Sequence, residues 1–210
     1  MVVALYPLHK VNPIKRIIVD TYQAVSGTGS AAVDELTVQV RQVLDGQTTI
    51  THVYPHQIAF NVLPEIDVFL DNGYTKEEWK MLEETKKIMH ADDVAISATC
   101  VRVPVFTGHS EAIHVEFSQP MSPEEARRIL AQAPAVRILD DPAISLYPQP
   151  WSTAGSDEVF VGRIRRDTSH THGLAMWVVA DNLRKGAALN AVQIAEEMVK
   201  RNWIRPRGKK

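Results

Sequence analysis

The 210-residue sequence contains one cysteine, no long apolar run and no excess of either charge. The single thiol, Cys100, excludes an internal disulfide and suits a reducing compartment. No stretch approaches the roughly 20 apolar residues that a membrane-spanning helix needs, and the N-terminal residues MVVALYPLHK lack the features of a signal peptide. The net charge of −2 provides no basic field for nucleic acid, and we interpret the basic end RNWIRPRGKK as a solvated tail. We therefore predict a cytoplasmic protein with no nucleic-acid or membrane partner.

Hydrophobic periodicity predicts strands that alternate with helices along the chain. Strands are predicted at 15–22, 48–54, 94–105, 112–117, 159–166 and 173–180, and helices at 1–8, 31–44, 76–90, 123–133 and 186–202. Thr75 and Glu78 have the spacing of a capping box, and Ser122 followed by Pro123 is a typical helix start. Because the spacing is not that of regular short βα units, the fold class that we predict is α+β with a mixed sheet.

A glycine motif follows the first predicted strand. Residues 27–32 (GTGSAA) match the G-x-G-x-x-A form of a dinucleotide-binding fingerprint, between a strand and a helix. A full Rossmann site needs an acid near the end of the next strand, and the predicted strand ends instead in His52, Val53 and Tyr54. A plain tight turn and a loop that contacts a cofactor both remain open.

The segment 96–117 (ISATCVRVPVFTGHSEAIHVEF) is the most informative part of the chain. It predicts two strands separated by a break at Pro104 and Gly108, with Arg102 before the break and His109 in the turn after it. A guanidinium among apolar neighbours must be paired, either with a bound carboxylate or with an internal acid. An imidazole is the natural group for moving a proton near neutral pH.

Three other candidates carry simpler interpretations. Cys100 shares a strand face with Arg102, but a mid-strand cysteine among apolar residues is predicted to be an inert core residue. Glu77 and Lys80 share one helix face, and by themselves they indicate a surface ion pair. His170 and His172 lack ligand partners at a suitable spacing, so we predict no metal site.

Taken together, these segments resemble the aspartate-β-semialdehyde dehydrogenase family, specifically its C-terminal catalytic and dimerisation domain. Six strings carry the resemblance in family order over nearly the whole chain: MVVALYPLH, TYQAVSGTGSAAVDEL, GYTKEEWKMLEETKKIM, ISATCVRVPVFTGHSEAIHVEF, DEVFVGRIRRD and HGLAMWVVADNLRKGAALNAVQIAE. The resemblance implies one domain over residues 1–210, with helices packed on one face of the sheet as in the C-terminal domain of the glyceraldehyde-3-phosphate-dehydrogenase-like architecture. It also implies that the last helix, about 186–202, packs on a dinucleotide-binding domain.

The resemblance assigns a role to each matched substrate position. Arg102 is expected to hold the α-carboxylate, Glu77 the ammonium and Lys80 the phosphate of aspartyl phosphate. Gln23 is expected to orient the substrate beside the thioester. His109 is expected to be the general acid/base at the hemithioacetal hydroxyl.

The family's reaction uses NADP. Ser26 and Gly27 match the loop that contacts the cofactor, and Asn182 matches the amide near its nicotinamide. A cysteine thiolate takes the acyl group from aspartyl phosphate, phosphate leaves, and hydride from NADPH reduces the thioester to aspartate semialdehyde. The family's place is in lysine, threonine and methionine biosynthesis, as a homodimer or homotetramer.

One departure from the family bears on activity. The family's nucleophile lies in an Asn-Cys-Ser/Thr segment just before the position of Met1, and neither that segment nor the N-terminal dinucleotide-binding domain is part of this sequence. We therefore expect a partial chain that has no reductive dephosphorylation activity alone. The alternative is a catalytically inert chain that acts only as a subunit-association module.

Overall fold

A computed structural model describes residues 1–204 of the chain. Six α-helices are present: α1 (Val2–Val11), α2 (Ser30–Leu44), α3 (Lys76–Met89), α4 (Pro123–Ala131), α5 (Pro150–Thr153) and α6 (Leu189–Lys200). Six strands accompany them: β1 (Ile14–Gln23), β2 (Ala95–Arg102), β3 (His109–Phe117), β4 (Val136–Ile138), β5 (Val159–Arg166) and β6 (Gly173–Ala180). Two 3-10 turns, at Val25–Thr28 and Pro142–Ile144, and a π turn at Arg184–Ala188 complete the described elements. The last six residues of the predicted basic tail, 205–210, lie outside this range.

The six strands form one mixed sheet in the order β2-β1-β3-β6-β5-β4. The β1–β2 and β4–β5 pairs are parallel, whereas the β1–β3, β3–β6 and β5–β6 pairs are antiparallel. The prediction of an α+β fold with a mixed sheet is therefore confirmed. A doubly wound dinucleotide-binding sheet is excluded for the described residues, because its strands would be mostly parallel.

The main core lies between one face of the sheet and helices α1, α3 and α4. Leu5 and Leu8 from α1, Met89 from α3 and Leu130 from α4 pack in one cluster with alternate strand residues such as Ile113. This arrangement follows from the period of two in the strands and the apolar stripe of each helix. No helix among residues 1–204 combines the length and apolarity that crossing a bilayer would require.

The opposite face of the sheet is partly open to solvent. Tyr22 stacks on Trp177 at 5.4 Å between ring centroids, and Arg16 pairs with Glu116 at 2.7 Å. Helix α6 is also exposed, since none of its residues is buried. Both surfaces can therefore accept further protein.

Local signals placed several elements correctly. Thr75 and Glu78 form the predicted capping box at the start of α3, and the hydroxyl of Ser122 accepts a hydrogen bond from Glu125 at the start of α4. The strands predicted at 159–166 and 173–180 have the predicted bounds. The first helix runs past Pro7 to Val11, and the last is a π turn followed by α6.

The strand predicted at 48–54 is wrong, and a buried carboxylate explains why. The backbone N–H groups of His52, Val53 and Tyr54 donate to the carboxylate of Glu35 on α2, not to a neighbouring strand. Gln39, one turn further along α2, accepts from the N–H groups of Ile58 and Ala59. The irregular segment after α2 is therefore attached to that helix by side chains.

Replacing Glu35 by alanine is expected to lower the free energy of unfolding by about 2–3 kcal/mol, because hydrogen bonds to charged groups are worth about 1.5–3 kcal/mol. Urea unfolding followed by circular dichroism measures this change. Asp34→Ala is the matched control, since it removes an exposed acid from the same helix. Equal stability of the two variants would contradict the structural role of Glu35.

Candidate active site

Three neighbouring strands, β1, β2 and β3, place three candidate residues at the same end of the sheet. Gln23, the last residue of β1, is paired with Arg102, the last residue of β2. On the other side of β1, Tyr22 is paired with Ser110, so His109 at the start of β3 lies beside Gln23. Gln23 is far in sequence from Arg102 and His109, and the sheet register makes it the neighbour of both.

Two strand boundaries differ from the prediction and decide where His109 lies. β2 ends at Arg102, opposite the last residue of β1, and does not continue to residue 105; Arg102 also forms an isolated bridge with Leu63. β3 begins at His109, where it pairs with Ala180 of β6, so His109 belongs to a strand and not to a turn. The turn before it requires Gly108, whose φ is +97° and whose Cβ position would lie 3.0 Å from Pro150 Cβ.

Arg102 is a buried guanidinium that forms no salt bridge with an acid among residues 1–204. Its relative exposure is 6%, and its Nη1 donates to the carbonyl oxygen of Ala24 at 2.7 Å. No carboxylate within residues 1–204 lies within 4.0 Å of it, and its Nε is buried without an acceptor. Burial lowers the pKa of Arg102 from its ordinary value. Of the two predicted pairings, the described residues provide no acid within salt-bridge distance, although the charge of Glu77 acts on Arg102 from further away. The guanidinium can therefore accept a bound anion.

His109 is held by the same residue that contacts Arg102. The backbone N–H of Ala24 donates to His109 Nδ1 at 3.0 Å. Burial, and next the nearby positive charge of Arg102, lower the pKa of His109 from 6.5 to about 4. The imidazole is therefore neutral at physiological pH.

Gly27 lies directly against both groups. A Cβ at this position would lie 3.0 Å from Arg102 Nη1 and 3.3 Å from His109 Nε2. The glycine motif thus forms a tight turn that leaves room for two functional side chains. The first glycine is needed for close approach.

Replacing Gly27 by alanine is expected to displace Arg102 or His109 and to lower the free energy of unfolding by about 1–3 kcal/mol, the usual cost of overpacking. Gly186→Ala is the control, because its nearest neighbouring atom is 3.9 Å away. Alanine there is expected to be neutral or slightly stabilising. Chemical denaturation compares the two variants, and an unchanged midpoint for Gly27→Ala would show that the turn has spare room.

Glu77 connects Gln23 to Lys80. Gln23 Nε2 donates to Glu77 Oε1 at 3.3 Å, and Lys80 Nζ donates to Glu77 Oε2 at 2.9 Å. Glu77 and Lys80 also line a cavity of about 130 Å³ together with Glu111, whereas Gln23, Arg102 and His109 do not line it. The Glu77–Lys80 pair is therefore more than a surface ion pair, because Glu77 also accepts a hydrogen bond from Gln23 at the end of β1.

Asn182 links the glycine turn to the turn before His109. Its Nδ2 donates to Ser26 Oγ at 3.0 Å, and its Oδ1 accepts from the N–H of Gly108 at 2.8 Å. Asn182 is the second residue after β6, and Asp181 before it accepts hydrogen bonds from the N–H groups of Gly155 and Leu183. The eight predicted site residues therefore lie in or beside three separate hydrogen-bonded groups: Gln23–Glu77–Lys80, Arg102–Ala24–His109 with Gly27 against it, and Ser26–Asn182.

Cys100 is buried in the core, as predicted. Desolvation raises the pKa of its thiol to about 12, and its backbone N–H donates to Glu78. A thiol that resists ionisation is a poor nucleophile. No metal-binding cluster of His, Cys, Asp or Glu exists within residues 1–204.

Two contributors were missed from the sequence. Ala24 contacts His109 and Arg102 through its backbone N–H and C=O, and the residue type alanine gives no indication of such contacts. Tyr54, predicted as the end of a strand, donates its hydroxyl to Thr28 Oγ1 at 3.0 Å beside the glycine turn. The only available signal was the position of Ala24 between Gln23 and the glycine motif.

Known proteins share both this fold and this sequence. Residues 5–185 match the family model described as the semialdehyde dehydrogenase dimerisation domain. Aspartate-semialdehyde dehydrogenases of Aquifex aeolicus and Legionella pneumophila are 56% and 55% identical, over 97% and 93% of this chain. A crystal structure of aspartate semialdehyde dehydrogenase II from Vibrio cholerae superposes with a TM-score of 0.92, at 49% identity over 95% of this chain.

The fold and the matched family model define the class as a semialdehyde dehydrogenase dimerisation domain. More specifically, the chain belongs to the aspartate-semialdehyde dehydrogenase family. It spans 60% of the Aquifex aeolicus relative, 57% of the Legionella pneumophila relative and 59% of the Vibrio cholerae chain.

Proposed function

We propose that this chain is the substrate-binding and subunit-association part of an aspartate-semialdehyde dehydrogenase. The reaction is the NADPH-dependent reductive dephosphorylation of aspartyl 4-phosphate to aspartate 4-semialdehyde, in the biosynthesis of lysine, threonine and methionine. The observation that carries the proposal is the buried Arg102, which has no acid partner within residues 1–204 and lies beside a neutral His109. A site with these two groups suits a small carboxylic acid that reacts at a carbonyl.

In this proposal, three charged side chains each bind a different charged group of the substrate. Arg102 binds the α-carboxylate, because a buried guanidinium fork suits bidentate carboxylate binding. Glu77 binds the ammonium, and Lys80 binds the phosphate. Lys80 is supported by its position, since it is about half exposed and lies at the rim of the cavity that Glu77 also lines. A Vibrio cholerae relative of known structure was solved in complex with ASA.

Gln23 and His109 act at the reacting carbonyl. Gln23 Oε1 is buried without a donor among the described residues, so it has an acceptor free for a substrate group. His109 contacts the oxygen of the hemithioacetal. The thiolate required for the thioester is not Cys100, whose pKa is raised to about 12 by burial.

The glycine turn fits the NADP cofactor. Ser26 and Gly27 present a turn without bulky side chains, and Asn182 Nδ2 uses one of its two hydrogens on Ser26, which leaves one donor available. NADPH, when bound, supplies the hydride. A structural relative from Candida albicans, at 26% identity and a TM-score of 0.71, was solved with NADP.

Partner and location complete the proposal. The partly open sheet face with Tyr22, Trp177 and the Arg16–Glu116 pair is proposed to contact a second copy of the chain, as a dimer or within a tetramer. The exposed helix α6 is proposed to pack on a dinucleotide-binding domain. A cytoplasmic location rests on the single cysteine.

The decisive experiment is a chimera in which residues 1–210 replace the matching region of the Aquifex aeolicus relative. The chimera is expected to turn over aspartyl phosphate with NADPH, and Cys100→Ala is expected to leave that activity unchanged. The isolated chain is expected to show no turnover. A folded but inactive chimera, or turnover by the isolated chain that Cys100→Ala abolishes, would contradict the proposal.

The observation of two open surfaces also favours the second candidate, a subunit-association module without catalysis. Mixing the isolated chain with an intact relative and measuring mass by light scattering distinguishes the two. Stable mixed assemblies together with an inactive chimera would favour the association module.

A further inference from the structure

Asp181 is a buried carboxylate that the function proposed above does not use. It follows β6 directly, and its relative exposure is 3%. Within residues 1–204 no basic side chain lies within 4.0 Å of it, and Arg184, three residues further on, pairs with the exposed Asp157 instead. A buried charge without a cation is costly unless hydrogen bonds replace its lost water. The donors around Asp181 therefore decide what this carboxylate does.

Three backbone N–H groups from two segments surround the Asp181 carboxylate. Its Oδ2 accepts from Gly155, just after α5, at 2.7 Å, and its Oδ1 accepts from Leu183 at 2.8 Å and from Arg184 at 3.1 Å. The spacing to Leu183 and Arg184 is that of a helix N-cap, which satisfies the N–H groups at the start of a helical turn. Hydrogen bonds from N–H groups to an ionised carboxylate are roughly twice as strong as neutral ones. Asp181 therefore connects the end of α5 to the start of the π turn.

Packing among the described residues does not hold the segment that follows Asp181. Leu183 and Arg184 are exposed, and Asn182 is only partly buried. The π conformation that follows is rare and occurs mostly at functional sites. The backbone of residues 182–184 therefore depends on the two hydrogen bonds to Asp181 Oδ1.

Asn182 is the residue of this segment that reaches the glycine turn. Its Oδ1 accepts from the N–H of Gly108, and its Nδ2 donates to Ser26 Oγ. These two bonds determine which way the amide faces, and they leave one Nδ2 hydrogen free. A change in the backbone at Asn182 would break both bonds and turn that hydrogen away.

We propose that Asp181 is a positioning residue whose carboxylate fixes the backbone after β6, so that the Asn182 amide presents its free N–H to NADP. The proposal rests on the function proposed above, in which Asn182 contacts the cofactor. Asp181 is not itself a cofactor ligand, because three N–H groups already occupy its two oxygens. Its effect reaches the cofactor through Asn182.

Hydrogen exchange of the Gly108 N–H measures this positioning on the 210-residue chain without cofactor. Asp181→Ala removes all three acceptor contacts, and the Gly108 N–H is expected to exchange at least about tenfold faster, as in Asn182→Ala, which removes the acceptor itself. Asp181→Asn keeps one acceptor oxygen for Leu183 and Arg184, so it is expected to keep the slow exchange. Unchanged exchange in Asp181→Ala, or equally fast exchange in Asp181→Asn, would overturn the proposal.

A second variant covers the case in which Asp181→Ala does not fold. Asp181→Gly lets water reach the freed N–H groups, and glycine at a cap costs only a few tenths of a kcal/mol. The same acceleration of Gly108 exchange is expected in this variant. Exchange as slow as in the unsubstituted chain would overturn the proposal.

Kinetics of the chimera separate positioning from a general structural role. Asp181→Ala is expected to raise the KM for NADPH about tenfold, the equivalent of one hydrogen bond, while kcat and the KM for aspartyl phosphate change less than about threefold. Asp181→Asn should restore most of the affinity. Asp157→Ala is the matched control, because Asp157 holds the same turn from its exposed side through Arg184.

Two results distinguish failure of this inference from failure of the proposed function. An inactive unsubstituted chimera would contradict the proposed function, whereas the exchange of Gly108 would still report on Asp181. An active chimera in which Asp181→Ala raises both KM values equally, or raises neither, would contradict the positioning role alone.

Discussion

Replacing Arg102 by methionine is expected to stabilise the unliganded chain while it removes substrate binding. The guanidinium is buried without an acid partner within residues 1–204, so an apolar side chain of similar length should raise the free energy of unfolding by about 1–2 kcal/mol. In the chimera, kcat/KM should fall about 100- to 1,000-fold, because truncating one partner of a buried charge pair costs about 2–5 kcal/mol. Opposite effects on stability and activity are the signature of a residue kept for function.

Arg127→Met is the matched control for this result. Arg127 pairs with Asp140, whose side chain is fully buried, at 2.8 Å, and it also donates to the carbonyl oxygen of Ile164. Its loss would leave a buried carboxylate without its cation, so stability should fall by about 3 kcal/mol. Thermal and urea unfolding of both variants test the contrast. If Arg102→Met destabilises the chain as much as Arg127→Met does, an acid partner of Arg102 must exist.

Acidification is expected to destabilise the chain through His109. The folded state holds the pKa of this imidazole at about 4, below the ordinary 6.5 of the unfolded chain. Between these values the unfolded state binds the extra proton and the folded state does not. Stability that is fully present above pH 6.5 is therefore lost as pH falls towards 4, by about 3 kcal/mol in total.

Urea unfolding at a series of pH values measures this effect as a slope. His109→Asn should remove most of the His109 contribution between pH 4 and 6.5, whereas His56→Asn, which removes an exposed imidazole, controls for the loss of a histidine as such. An unchanged slope in His109→Asn would mean that His109 titrates normally in the folded chain.

Some elements could be predicted because their causes are local. The capping box of Thr75 and Glu78 depends on three residues of spacing, and the strand at 173–180 depends on a continuous apolar run. The segment 48–54 (TTITHVY) is rich in the β-branched residues typical of strands, yet the N–H groups of His52 and Val53 bond to Glu35. Strand propensity could not reveal this, because the competing acceptor lies on a helix that precedes it in the chain.

The sequence by itself determined the fold class, the family and the identity of the candidate residues, since periodicity and motif strings depend on residue types in order. Only the tertiary structure decided that Arg102 forms no salt bridge with an acid among the described residues, that His109 begins a strand, and that Ala24 joins the two. These facts depend on sheet register and on a backbone peptide. Residue types reveal neither the sheet register nor the contacts of a backbone peptide, because every residue except proline carries the same N–H and C=O.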